Sequence, residues 1–75
     1  MQNSELIHLI NSVDLIDPVV WVAQTDDFLT RSGIECADLS ELLARLKRPG
    51  DTSRERHILF LFLQRLWRHN VPSYR

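Results

Sequence analysis

Apolar positions recur along this chain at intervals of three and four residues, which is the spacing of one face of an α-helix. The first such stretch covers about residues 4–13. Ser4 is its expected N-terminal cap, and its apolar face is formed by Leu6, Ile7, Ile10 and Val13. The pattern therefore predicts a short amphipathic helix at the start of the sequence.

The second predicted helix has the clearest boundaries. It begins at Asp17 and Pro18, because an aspartate side chain can accept from the first free amides and proline tolerates the first helical position. Gly33 is expected to end it, because glycine readily adopts the left-handed conformation found after helices. Its apolar stripe is formed by Trp21, Val22, Phe28 and Leu29.

The third and fourth predicted helices each open with a capping box. Asp38 and Glu41 have this spacing in the third helix, which Pro49-Gly50 ends, and Thr52 and Glu55 have it in the fourth. The apolar face of the third is formed by Leu39, Leu42, Leu43 and Leu46. The fourth is expected to run to about His69, before Pro72. No window alternates as a half-buried strand would, so we predict an all-α fold, a compact bundle of four short helices forming one domain over residues 1–75.

The fourth helix is apolar on more than one side, since residues 58–63 are all large and apolar. A rotation of about 100° per residue predicts a core face of Ile58, Leu59, Phe62, Leu63 and Leu66. A second face carries Phe60 and Trp67. The third face carries Arg54, His57, Leu61, Arg65 and Arg68.

Phe60 and Trp67 allow two interpretations. Either the other helices surround the fourth and bury both rings, or the pair forms an interface. Aromatic residues and arginine are enriched in interface hot spots, and a short chain can extend its core by association. We predict a bundle completed by homodimerisation and a partner-binding surface formed by Phe60, Leu61, Arg65, Trp67 and Arg68.

Charge is divided unevenly along the chain. Residues 1–44 contain eight acidic residues and one basic residue, whereas residues 45–75 contain eight basic and two acidic residues. The two halves either neutralise each other in the fold or leave the basic half to face an acidic protein partner. Seven of the eight basic residues after residue 44 are arginine, which suits paired contacts with carboxylates.

Composition favours a cytoplasmic protein without a membrane segment. Cys36 is the only cysteine, so no disulfide can form within the chain, and a buried, packed position is its expected role. The first ten residues lack the basic start of a signal peptide, and the apolar run at residues 58–63 is too short to cross a bilayer.

No constellation of residues predicts catalysis or metal binding. His8, His57 and His69 lie at no metal-ligand spacing with one another or with Cys36. Asp26 and Asp27 are adjacent, and adjacent residues of a helix point about 100° apart, so they do not form a carboxylate pair. We therefore expect a protein that is not an enzyme and that needs no cofactor and no metal.

The alternative function is DNA binding through a helix-turn-helix. Residues 28–46 place Gly33 in the turn between two helices, as such motifs do. However, the second helix would present Glu35, Asp38 and Glu41 to the phosphates, which repel carboxylates. Nucleic acid is therefore the weaker prediction. The stronger one is a small regulatory or adaptor protein, of the inhibitor or modulator type found in bacteria and phages, that acts by protein–protein contact.

Overall fold

The four predicted helices follow one another in the computed structural model, which describes the backbone of residues 3–35 and 37–70 and the side chains of residues 4–35 and 37–69. The helices are α1 (Asn3–Asn11), α2 (Pro18–Arg31), α3 (Ala37–Leu46) and α4 (Ser53–Asn70). No strand occurs among the described residues, and the all-α class is confirmed. The roles expected of Cys36 and Pro72 lie outside these residues.

The helices pack as a ring of neighbours. α1 packs against α2 and α4, and α3 also packs against α2 and α4. The radius of gyration of the Cα atoms is 12.3 Å, near the value of about 11 Å expected for a folded chain of this length. Because α4 has α1 and α3 as its principal neighbours, one side of it faces away from the bundle.

The core is built around Trp21, which is completely buried. Its indole Nε1 donates to the carbonyl oxygen of Leu9 at 2.7 Å. Leu9 lies in the last turn of α1, where carbonyls lose their helical partners, so this bond satisfies an acceptor at the helix end. The buried Thr25 hydroxyl donates to the carbonyl oxygen of Trp21 at 2.8 Å. The other large side chains buried completely or nearly so are Leu6, Leu9, Phe28, Leu29, Leu59 and Leu63.

Both ends of α2 are as predicted. The Asp17 side chain accepts from the backbone amide of Val19 at 2.8 Å, and Pro18 is the first helical residue. At the other end Gly33 has a φ of 71°, in the left-handed region. The amides of Gly33 and Ile34 donate to the carbonyl oxygens of Thr30 and Leu29 at 3.1 and 3.0 Å. This pair of bonds is the Schellman motif.

The starts of α1 and α3 differ from the prediction. α1 begins at Asn3, so Ser4 lies inside the helix rather than capping it. α3 begins at Ala37, so Asp38 lies in its first turn, and the predicted cap at Asp38 was wrong by at least one residue. A carboxylate in the first turn still interacts favourably with the helix dipole. Glu41, the expected partner in the capping box, instead accepts from Arg45 at 2.9 Å.

The cap of α4 also differs in detail. Thr52 precedes the helix as predicted, and its carbonyl oxygen accepts from the Arg56 amide at 2.9 Å. The side-chain acceptor, however, is Asp51, which accepts from the hydroxyl and the amide of Ser53. These two bonds lower the pKa of the Asp51 carboxyl. A depressed pKa in the folded state means that this cap stabilises the protein at neutral pH and loses its effect as pH falls through that pKa.

The core side of α4 is rotated from the predicted one. Leu59 and Leu63 are completely buried, whereas Ile58 is 47% exposed, so its assignment to the core was wrong. Phe62 and Leu66 are half-buried on one flank of the core, and Phe60 and Trp67 are half-buried beside it. The buried face of α4 is therefore rotated away from Ile58 and toward Phe60 and Trp67, because α4 packs between α1 and α3.

This assignment of faces can be tested with two leucines of α4. Leu63→Ala should lower the free energy of unfolding by about 2–5 kcal/mol, because it removes a completely buried side chain and leaves a cavity. Leu61→Ala is the matched control, expected to cost less than about 1 kcal/mol because Leu61 is 48% exposed. Chemical denaturation followed by circular dichroism measures both. Equal losses for the two variants would contradict the assignment.

Candidate partner-binding surface

Five exposed residues form a straight stripe along the outward side of α4. They follow one another at intervals of four, three, four and three residues, which keeps them on one face of a helix. We call this surface the outer stripe: Arg54, Ile58, Leu61, Arg65 and Arg68. Its centre is apolar, since Ile58 and Leu61 are 47% and 48% exposed, and both of its ends are basic.

The arginines of the outer stripe form no salt bridge with the described residues. Among the described residues, salt bridges join Arg31 to Glu5 and Asp27, Arg45 to Glu41, and Lys47 to Asp26. None of these bridges involves Arg54, Arg65 or Arg68. Within the described part of the chain, the acidic half therefore forms no salt bridge with this basic surface.

The basic residues that form these salt bridges lie outside α4. Arg31 of α2 reaches Glu5 of α1 and also binds Asp27 one turn earlier in α2, and these bonds raise the pKa of its guanidinium group. Lys47, just after α3, lies 3.1 Å from a carboxylate oxygen of Asp26 on α2. These contacts tie α2 to α1 and to the end of α3, and they lie off α4.

A groove separates the outer stripe from α3. It has a volume of about 370 Å³, and α4 contributes Ile58, Phe62 and Arg65 to its lining. The α3 side contributes Leu39 and Leu42 together with Asp38, Glu41 and Arg45. The groove thus has an apolar floor, one side that carries two carboxylates, and one side that carries Arg65 of the outer stripe.

The structure divides the predicted site residues into two groups. Leu61, Arg65 and Arg68 lie together on the outer stripe. Phe60 and Trp67 lie on the flank of α4 and pack against the core, so the fold itself buries part of each ring. The Phe60 ring also stacks against that of His57, with 6.3 Å between centroids. Binding of a partner by any of these five residues stays a prediction.

Ile58 is the member of the apolar centre that sequence reasoning missed. Because residues 58–63 are all apolar, the sequence is compatible with several orientations of the buried face, and the predicted orientation includes Ile58 in the core. The spacing of four residues to Arg54 and three to Leu61 was the signal that could have placed it with the arginines.

A second exposed apolar surface lies where the chain enters α2. Leu15, Val19 and Val20 are 80%, 78% and 46% exposed. Val19 also lines a groove of about 460 Å³ between the start of α2 and the segment that follows α3, together with Pro18, Val22, Ala23, Leu46, Lys47, Arg48, Pro49 and Thr52. No sequence signal singled out this surface, because Val19 and Val20 belong to the apolar run 19–23, which is compatible with several orientations of a helix.

The α2–α3 pair does not present a basic surface. Residues 32–36 connect the two helices, and the exposed residues of α3 include Asp38, Ser40 and Glu41. Arg45, its one basic residue, forms a salt bridge with Glu41. A helix with this outer face would be repelled by nucleic-acid phosphates.

Two other classes of site were sought in the described part of the chain. No cluster of three or more histidine, cysteine or acidic side chains there could hold a metal ion. None of the helices found in that part combines the length and the apolar character that crossing a membrane requires.

Comparisons of this chain with protein-family models, with curated proteins and with solved structures found no match. We therefore infer its function from the exposure and charge of its own residues.

The packing of Phe60 and Trp67 leads to a stability test. Phe60→Ser combined with Trp67→Gln should lower the free energy of unfolding by about 2–4 kcal/mol, because both rings pack against the core. The matched control is Ile58→Ser with Leu61→Ser on the outer stripe, which should leave the melting temperature close to that of the wild type. Thermal melts followed by circular dichroism compare the two. A larger loss in the control would contradict the placement of these four side chains.

Proposed function

We propose that this protein is a small, non-enzymatic regulator or adaptor that acts by binding another protein through the outer stripe of α4. One observation carries the proposal. Ile58 and Leu61 are about half exposed, and they lie between arginines that form no salt bridge with the described residues. An apolar centre bordered by charge is the arrangement expected of a protein–protein interface.

The composition of the outer stripe favours an acidic protein as the partner. Arginine presents a planar group that can bind a carboxylate through two hydrogen bonds, and such pairs fix the orientation of two surfaces. Burying Ile58 and Leu61 in the same contact removes apolar surface from water, at about 25 cal/mol for each Å². Charge would therefore steer the encounter, and the apolar centre would contribute to the lifetime of the complex.

The proposed regulatory role is supported by the kind of surface that the described bundle offers. A bundle of four short helices has room for one or two contact surfaces, and its grooves are open ones at helix junctions. Binding to a partner and altering what that partner contacts is the activity that such a surface supports. DNA binding is the weaker alternative, since the apolar centre of the outer stripe matches no feature of a phosphate backbone.

Site-specific photo-crosslinking tests this proposal. A photoreactive phenylalanine analogue replaces Leu61. The protein is expressed in cells of its natural host, and the cells are irradiated. We expect a discrete protein adduct from position 61, lost when Arg65→Glu and Arg68→Glu are added. The matched control carries the analogue at Thr30, an exposed position of α2, and should give no such adduct. Absence of any protein adduct from position 61 would refute the proposed function.

We also propose self-association, and we assign it to a different surface. A symmetric antiparallel pairing of two α4 helices about a point between Ile58 and Leu61 would bring Arg54 of each copy opposite Arg65 of the other, which is repulsive. The surface formed by Leu15, Val19 and Val20 lacks this conflict. The groove beside it has Arg48 in its lining and Asp17 next to Pro18, so charges of both signs lie near Val19.

Sedimentation velocity across a dilution series tests the self-association. Val19→Ser should raise the dissociation constant of the dimer at least about tenfold, because it removes the side chain at the centre of this surface. Leu61→Ser, at an apolar position of the outer stripe that is 48% exposed, is the control and should leave the dissociation constant unchanged. A dimer that persists in Val19→Ser and dissociates in Leu61→Ser would show that the surfaces are assigned the wrong way round.

A further inference from the structure

We infer that the outer stripe binds an acidic amphipathic helix, which lies along α4 and places two apolar residues between carboxylates. This inference rests on the proposed function and specifies the partner of the same surface. Three observations carry it: the spacing of the stripe, the order of its charges, and the acidic residues on the neighbouring helix.

The spacing of the outer stripe is that of a helix–helix seam. Its members follow at alternating intervals of four and three residues, as the contact positions of paired helices do. From Arg54 to Arg68 the stripe is about 21 Å long at about 1.5 Å per residue, or about four turns. A second helix laid alongside α4 can therefore contact every member of the stripe, with Ile58 and Leu61 packing into it at the centre.

The order of charges specifies the chemistry of the second helix. Arg54 stands at one end of the stripe, and Arg65 and Arg68 stand at the other. A matching helix presents a carboxylate to each end and two apolar side chains to the centre. A basic helix would place like charges together at both ends, and so would another α4. The stripe therefore discriminates between partners by repulsion as well as by attraction.

The acidic residues of α3 determine which side of the stripe is open to such a helix. Asp38 and Glu41 line the groove that Ile58, Phe62 and Arg65 border on the α4 side. Arg45 also lines this groove and forms a salt bridge with Glu41, so Asp38 is the carboxylate that would repel an acidic helix seated deep in it. The acidic helix is therefore expected to lie over the stripe itself and outside this groove, inclined toward the side where His57 is exposed. Asp38 acts as a specificity determinant, which weakens the binding of an acidic partner that lies toward α3.

Binding of synthetic helical peptides tests the inference. The acidic peptide is a stapled helix of about 21 residues with two leucines on its seam and glutamates at the flanking seam positions. A second peptide carries lysine in place of those glutamates. A third has the composition of the first with its seam residues scrambled around the helix. Fluorescence anisotropy measures the affinity of the 75-residue protein for each peptide at low and at physiological salt.

We expect the acidic peptide to bind at least about tenfold more tightly than either of the other two. Arg65→Glu with Arg68→Glu should reverse the preference in favour of the lysine peptide, and Leu61→Ser should weaken binding of the acidic peptide. Asp38→Asn should strengthen it by about twofold. Gln24→Glu, which adds a negative charge at an exposed position of α2, is the charge control and should leave the preference in place. Circular dichroism confirms that each variant is folded.

Equal binding of the acidic and scrambled peptides would overturn the inference, because charge alone would then explain the contact. Tighter binding of a duplex DNA probe than of the acidic peptide, lost in Arg65→Glu with Arg68→Glu, would also overturn it and assign the stripe to nucleic acid. Failure of this inference is distinguishable from failure of the proposed function. A protein adduct at position 61 with no peptide preference leaves a protein partner of another shape, whereas no adduct refutes the function itself.

Discussion

The hydrogen bond from the Trp21 indole to the carbonyl oxygen of Leu9 is the contact on which the arrangement of the bundle depends. It joins the largest buried side chain to the end of α1, across the turn that reverses the chain. An indole N–H buried without an acceptor would cost about 1–3 kcal/mol. Because the Leu9 carbonyl supplies that acceptor, Trp21 can fill the core beside the end of α1.

The position of α1 in turn determines which side of α4 is buried. α1 and α3 flank α4, and between them they cover Leu59 and Leu63. The opposite side has no helix to cover it, and there Ile58 and Leu61 remain about half exposed beside the arginines. The outer stripe is thus a consequence of the number of helices. Three short helices in a ring with α4 leave part of its apolar surface in contact with solvent.

Features that depend on neighbours in the chain could be predicted from the sequence, and features that depend on distant segments could not. Asp17, Pro18 and Gly33 predicted the ends of α2 correctly, because the hydrogen bonds of Asp17 and Gly33 are local and proline suits the first helical position. The buried face of α4 was predicted wrongly, with Ile58 in the core. An uninterrupted apolar run is compatible with several orientations of the helix, and the packing of α1 and α3 selects one of them. The same reason explains why the surface around Val19 went unnoticed. The basic members of the predicted site, by contrast, were placed correctly on an exposed face, since charge alone keeps them out of a core.

The ring of helices has a consequence for how the chain folds. Three of the packed helix pairs, α1–α2, α2–α3 and α3–α4, are neighbours in the sequence, and their loops are short. The packing of α1 against α4 closes the ring and joins segments from opposite halves of the sequence. Local contacts dominate such a topology, and helical domains of this kind reach the native state in microseconds to milliseconds. Closing a longer loop adds only a logarithmic entropy penalty, so even the α1–α4 contact need not slow the reaction greatly. The packing of α1 against α4 is therefore the non-local contact that the folding chain has to form to close the ring.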